Sequence, residues 1–318
     1  MPYYETSAYR PRFPFTKGHF STLYAGVFKR VRVPLYRRKE LSLPDGDFLE
    51  VDYRLRSCSR AVIICHGLEG DSTSNYNNSL AQYALANGYS VFAWNNRSCG
   101  SRMNRLPKLY HHASVDDLDA VVQDVLQQGF DAVYLAGFSL GGAQIMNYFG
   151  RRHIDARIKA GVAVSTPIQL KASAHKIDRG LGKLYQKRFV QRIKRKIGLK
   201  ARKFPELLDE QRINAIDSFE DIAENFMVPV HGFADLEAYY KEASPGSSMG
   251  AIKTPVLLLN AVDDPILGEF ARPVERAETH KCLYLETPRH GGHCGFRLPK
   301  TDISYAAIRA VSFFEMFF

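Results

Sequence analysis

Short apolar runs alternate with segments of helical period along most of this chain. The runs at 61–65, 89–94, 132–136 and 160–164 are nearly continuous in aliphatic and aromatic residues, the pattern of strands buried on both faces. Between them, 80–87, the stretch after Ser114, and 140–150 read as helices. The second of these is the clearest, because Leu118, Val121, Val122, Val125 and Leu126 share one face. Ser114-Val115-Asp116-Asp117 in front of it fits a capping box. Upstream, extended runs at 38–43 and 48–54 flank Pro44-Asp45-Gly46-Asp47, whose Asp-Gly pair predicts a hairpin. Such alternation predicts an α/β protein with a mostly parallel sheet, right-handed crossovers and helices on both faces.

The rhythm breaks at Ser165-Thr166-Pro167 and only helical patterns and loops follow, as far as Gly250. It resumes with apolar runs at 256–259 and 283–285 and a last helix from Asp302 onward. The pattern predicts a core of residues 38–164 and 251–318, a helical cap inserted at 165–250, and an irregular arm, 1–37, lying on the core. That arm is aromatic, basic and punctuated by proline.

Composition narrows the class only modestly. With 45% hydrophobic and 24% charged residues, the chain is an ordinary globular one. Its five cysteines are odd in number and lack CxxC spacing, which argues against a disulfide framework or zinc site and for a reducing compartment. Neither a signal-peptide core nor an apolar stretch of membrane-spanning length is visible, so a cytoplasmic location is the expectation. The net charge of +10 is concentrated: residues 171–203 hold 13 Lys or Arg against one acid, Asp178. A local basic segment on a near-neutral body is not the footprint of a nucleic-acid binder. Within it Leu181, Tyr185, Phe189 and Ile193 recur every four residues and predict an apolar helix face. The surrounding charges are either simply solvated or form a weak contact surface for anionic lipid.

Three islands carry the chemistry. Gly137-Phe138-Ser139-Leu140-Gly141 follows one apolar run, Asp263-Asp264-Pro265 a second, and His290-Gly291-Gly292-His293 a third. Serine, then acid, then histidine is the chain order of a Ser-His-Asp triad built on an α/β-hydrolase sheet. The paired glycines allow the sharp strand-to-helix turn that projects Ser139. An oxyanion hole needs two backbone N–H groups; Leu140 supplies one, and Leu68 in His66-Gly67-Leu68-Glu69-Gly70 is the candidate for the other. Asp264, directly before Pro265-Ile266, is favoured over Asp263 as the acid, and Asp263 then caps the loop. His293, carried on a glycine turn, is favoured over His290 as the base. His66 reads as a core histidine, and Asn95–Gly100 as a structural loop near the elbow. His111 with Asp116, and His112 with Asp117, also fit the His-x4-Asp spacing of some acyltransferases, a match that is cheap by chance.

As a set, these residues resemble AB hydrolase family 4, the YheT-like hydrolases. The shared motifs are His66-Gly67-Leu68-Glu69-Gly70, Asn96-Arg97, Tyr110-His111, Gly137-x-Ser139-x-Gly141-Gly142, Asp263-Asp264-Pro265 and His290-Gly291-Gly292-His293-x-Gly295-Phe296. Gly18-His19-Phe20 with Thr22, Asp45-Gly46-Asp47-Phe48-Leu49, His231-Gly232-Phe233 and Tyr239-Tyr240 extend the likeness over nearly the whole chain. Arg97-Ser98-Cys99-Gly100 and Phe20-Ser21 depart from the family's commoner residues. The resemblance implies an α/β-hydrolase fold with an eight-stranded, mostly parallel sheet and a cap after the sixth strand. It also implies the triad Ser139, Asp264, His293, and action on carboxylic esters, acyl or lipid-like. A serine esterase acting on small esters, with no metal or organic cofactor, is the resulting expectation. Acyl transfer to an alcohol by the same triad, and a non-catalytic binding module, are the alternatives.

Overall fold

The computed structural model describes the backbone of Tyr4–Glu5 and residues 8–318. Nine strands form one sheet: β1 (Tyr4–Glu5), β2 (Arg37–Ser42), β3 (Phe48–Arg54), β4 (Arg60–Cys65), β5 (Ser90–Asn95), β6 (Ala132–Phe138), β7 (Ile158–Val164), β8 (Val256–Leu259) and β9 (Leu283–Glu286). Their order is β1-β9-β8-β7-β6-β4-β5-β3-β2. The pairs β2–β3 and β3–β5 are antiparallel and the rest are parallel. Eight strands follow from the apolar runs; the ninth, β1, comes from the arm and covers the β9 edge. The β2–β3 hairpin turns through Asp45-Gly46 with Gly46 at φ 84, a left-handed position that glycine takes without strain.

Alternation along each strand sends side chains into two apolar layers. On β4, Ala61, Ile63 and Cys65 enter the layer beneath α3 (Val115–Leu126) and α4 (Leu140–Arg151). Val62 and Ile64 enter the layer beneath α2 (Asn75–Ala86) and α12 (Tyr305–Glu315). The short helix α11 (Val274–Thr279) completes the first layer through Ala277.

Between β7 and β8 the chain forms α5 (Leu170–Ile177), α6 (Gly182–Lys203), α7 (Glu210–Ala215), α8 (Phe219–Ile222), α9 (Val228–His231) and α10 (Leu236–Ala243). These helices build a third apolar cluster with Leu109, Tyr110 and Leu140 of the core. Their lysines are largely committed. Lys176 donates to the carbonyls of Asp264 at 2.8 Å and Leu267 at 2.6 Å. Lys200, only 2% exposed, donates to the carbonyls of Asn104 and Leu106. Desolvation pushes its ammonium pKa down to about 8. Lys203 reaches the Arg105 carbonyl at 3.1 Å. Three of the thirteen cations therefore staple these helices to carbonyls of the core, a use that neither solvation nor lipid contact describes.

Three local expectations need correction. Ser114 does not cap α3 with its side chain; its Oγ accepts the His111 N–H at 2.9 Å. The capping box fails because Asp117 is held in a bidentate pair by Arg97, at 2.7 and 2.8 Å. On α6 the buried stripe runs Gln186, Val190, Ile193, Ile197, while Leu181 is 59% exposed. Tyr185 and Phe189 face a cavity instead of the packed interior. The arm is not wholly irregular, since it contains α1 (Gly18–Leu23) followed by one π-helical turn, Tyr24–Phe28.

Arg97 is the ionic centre beside the sheet. It pairs with Asp47 at 3.0 Å and Asp45 at 2.8 Å as well as with Asp117. Burial alone pushes the Asp47 carboxyl up. Hydrogen bonds from Asn104 and the N–H groups of Arg105, Phe48 and Leu106 outweigh that and leave it below the ordinary carboxylate range. Replacing Arg97 with Met strands two buried carboxylates. The expected cost is about 3–5 kcal/mol in urea unfolding, read as a lowered midpoint at unchanged slope. A loss under about 1 kcal/mol would contradict this role.

Candidate active site

The C-terminal ends of β4, β6, β7 and β8 all open on one rim of the sheet, where a parallel α/β fold places its ligands. At that rim β6 gives way to α4 through Ser139, which sits at φ 54, ψ −118. A non-glycine residue there is strained, and packing holds it in place. A Cβ on Gly137 would lie 2.3 Å from the Gly141 carbonyl, and one on Gly141 would lie 2.3 Å from the Cys65 carbonyl. Only glycine permits either approach.

The structure brings Ser139, His293 and Asp264 into one line. Ser139 Oγ lies 2.9 Å from His293 Nε2, and His293 Nδ1 lies 2.9 Å from Asp264 Oδ2. Asp264 is 3% exposed, and its second oxygen accepts the N–H groups of Ile266 at 2.8 Å and Leu267 at 3.2 Å. The backbone bonds hold the carboxylate in place while Oδ2 faces the ring, which favours the tautomer with Nδ1 donating and Nε2 accepting. Asp263 is turned elsewhere: it accepts the Gly292 N–H at 2.9 Å and lies 3.4 Å from His290 Nδ1. Asp263 and His290 therefore stabilise the loop that carries His293.

Leu68 and Leu140 flank Ser139 at the wall of the same cavity. On either side of Leu68 the backbone is occupied. Gly67 N–H donates to Tyr76 Oη at 3.0 Å, and Glu69 N–H donates to Tyr110 Oη at 2.8 Å. The Leu68 and Leu140 N–H groups have no such partner among the described residues. Two unspent donors beside the Ser139 hydroxyl are candidates for an oxyanion hole.

The cavity measures about 310 Å³ and is walled by Leu170, Ile177, Phe189, Ile193, Ile222 and Met227, among others. Its exposed lining residues include Leu23 and Val27 of the arm and Arg188 and Arg192 of α6. His111 and His112 also line it, but their sequence partners are elsewhere. Asp116 is exposed beside Arg152, and Asp117 belongs to Arg97. The His-x4-Asp spacing therefore brings nothing together.

One contributor has no signal in the sequence chemistry. Thr22 of α1 accepts the His293 N–H at 2.9 Å, and Ser21 donates to the Gly291 carbonyl at 3.0 Å. The arm thus buttresses the histidine loop. Gly18 and Thr22 stand in the set of residues behind the resemblance, although neither is a reactive type in itself. Among the described residues no group of three or more His, Cys, Asp or Glu is placed to hold a metal ion, and no helix is long and apolar enough to cross a membrane.

A strained nucleophile elbow on a parallel sheet, with acid and histidine on later loops, defines an α/β-hydrolase. Residues 60–297 match the family described as alpha/beta hydrolase fold, and the chain belongs to it. Among its relatives is YheT of Escherichia coli (strain K12), 27% identical over 293 residues that span 89% of this chain and 85% of that protein. Phospholipase ABHD3 of Mus musculus is 27% identical over 272 residues, 82% of this chain and 66% of that one. The solved Pyrococcus furiosus esterase Pf2001 superposes with a TM-score of 0.57 at 17% identity, covering 91% of this chain and 99% of that one. That likeness is one of fold.

Four buried histidines, His66, His111, His112 and His231, are kept neutral. His66 donates from Nδ1 to the Gly67 carbonyl at 2.7 Å, and its Nε2 accepts the Asn96 N–H at 3.0 Å. Desolvation pushes His66, His112 and His231 down to about 4, and His111 also falls well below its ordinary 6.5. Below pH 6.5 the unfolded chain binds protons on these rings that the native chain refuses, so falling pH favours unfolding. Urea stability should drop between about pH 6.5 and 5 by more than ~1.4 kcal/mol per unit, the share of one such ring. A flat profile over that window would contradict the buried neutral rings.

Proposed function

We propose that this chain is a serine hydrolase of carboxylic esters with Ser139 as nucleophile, His293 as base and Asp264 as orienting acid. The carrying observation is the unbroken relay Asp264–His293–Ser139, at 2.9 Å in each step, ending at an apolar cavity. Ser139 Oγ attacks the acyl carbon as His293 Nε2 takes its proton. The carbonyl oxygen gains negative charge and is met by the N–H groups of Leu68 and Leu140. Collapse expels the alcohol, which leaves with the proton from His293. Water then attacks the acyl-enzyme, passes its proton to His293, and releases the acid with Ser139 restored.

Specificity follows from the wall and its exposed residues. Aliphatic and aromatic side chains from the inserted helices suit an acyl chain, short to medium or lipid-like, and the helices act as a cap over it. Exposed Leu23, Val27, Arg188 and Arg192 suit an anionic lipid surface that delivers such esters to the cavity. The names of the relatives support the ester class.

A fluorophosphonate probe and p-nitrophenyl esters of rising chain length test this reading. Wild-type protein should label at one serine, and Ser139→Ala should lose labelling and about three or more orders of magnitude in kcat. Asp264→Asn should cost on the order of 10⁴-fold, against roughly tenfold at most for Asp263→Asn. Full labelling of Ser139→Ala, or the opposite ranking of the two aspartates, would overturn the assignment. For the surface, co-sedimentation with phosphatidylglycerol vesicles should exceed that with phosphatidylcholine and should fade as salt screens it, each basic residue contributing about 1 kcal/mol. Equal pelleting with both would remove the lipid contact from the reading.

A further inference from the structure

Glu69, directly after the proposed oxyanion donor Leu68, is an unexpected residue for its place. It holds a left-handed φ of 55 and is 4% exposed, so it is both strained and desolvated. Three groups gather on it. Tyr110 Oη accepts the Glu69 N–H at 2.8 Å and donates back to its Oε1 at 2.8 Å. Lys196 Nζ donates to the same Oε1 at 2.8 Å, and Arg192 Nε stands 3.8 Å from Oε2. Tyr110 belongs to the loop ahead of α3, whereas Lys196 and Arg192 belong to α6. Arg192 and Ile193, within one turn of Lys196, line the cavity.

We infer that Lys196, Glu69 and Tyr110 form a latch through which the inserted helix α6 sets the oxyanion loop, making Lys196 and Glu69 positioning residues for turnover. The inference rests on the hydrolase reading above. Tyr110 clamps one end of the Leu68 turn by its backbone and side chain together. Lys196 supplies the nearer and better buried of the two positive charges that make a buried carboxylate tolerable there, and it fixes the rotamer. Without that charge Glu69 has reason to leave its strained conformation for water, carrying the Leu68 N–H off its aim. The helix that walls the acyl cavity therefore also completes the catalytic electrostatics. Docking of α6 and competence of the hole become one event.

The test compares full-length wild type with Lys196→Met, Lys196→Arg, Glu69→Gln and the Lys196→Met/Glu69→Gln double variant. On a p-nitrophenyl ester, kcat should fall about ten- to hundredfold in Lys196→Met and Glu69→Gln, somewhat less than outright removal of a donor, with KM within about threefold. Affinity for an alkylboronic acid, whose adduct with Ser139 puts an oxygen in the hole, should fall in step with kcat. Lys196→Arg should recover most of the loss, and the double variant should be no worse than the weaker single, as expected of one unit. If Glu69→Gln does not fold, Tyr110→Phe takes its place. Lys196→Met with kcat and boronate affinity within about twofold of an active wild type would overturn the latch alone, since losing a real positioning contact costs more. A wild type inert to both ester and fluorophosphonate would overturn the latch and the hydrolase reading together.

Discussion

The site depends on how closely one turn of backbone can approach its neighbours. Between β6 and α4 the chain reverses in the space of Gly137 to Gly142, pressed against the ends of β4 and β7. A methyl group on Gly141 would collide with the Cys65 carbonyl, and one on Gly142 would come within 2.0 Å of Thr166 Oγ1. That compression raises Ser139 above the rim and leaves the first N–H groups of α4 facing the same space. Position by position, the rest of the machinery is arranged to meet this fixed point. The loop after β8 brings Asp264, the loop after β9 brings His293, and the loop after β4 brings Leu68.

Much of this was readable in the sequence because it rests on local rules. Strands buried on both faces are continuous apolar runs, and β4 to β9 are close to where those runs predict them. The order of serine, acid and histidine survives because the fold places each at the end of a strand. What escaped the reading depends on partners remote in the chain. Ser114 has the spacing of a cap, but Arg97 takes Asp117 away from it. The α6 stripe is shifted in phase because a helix beside a cavity has two apolar faces, one packed and one lining space. Thr22 and Tyr76 are ordinary residues whose value lies in a hydroxyl meeting a particular N–H group. No pattern in composition announces that.

The basic segment shows the same limit in another form. Thirteen cations over residues 171–203 read as surface charge, yet Lys176, Lys200 and Lys203 end on main-chain carbonyls of the core. Carbonyls carry no sequence signature, so this use of lysine is invisible until the fold is known. It also explains how a mobile-looking, strongly charged helix is held over an apolar cavity. An ammonium group satisfies several carbonyl lone pairs at loop ends that would otherwise need water. Arg188 and Arg192 are exposed cations that line the cavity, the second of them 3.8 Å from Glu69.

The contact between Thr22 and His293 spans 271 positions of chain. Tyr9 Oη donates to the Arg297 carbonyl at 2.9 Å across a separation of 288 residues. On a ribosome adding about 5–20 residues per second, the first helix waits on the order of 15–50 s before its partner loop exists. Strands β2 to β9, the elbow and the inserted helices are all synthesised in that interval. On the proposed assignment, Ser139 is therefore made long before the loop that carries its base, His293, can be locked in place. In the proposed mechanism the relay is complete only once the loop after β9 docks on α1, so a chain that stops short of residue 293 would carry the serine without its base.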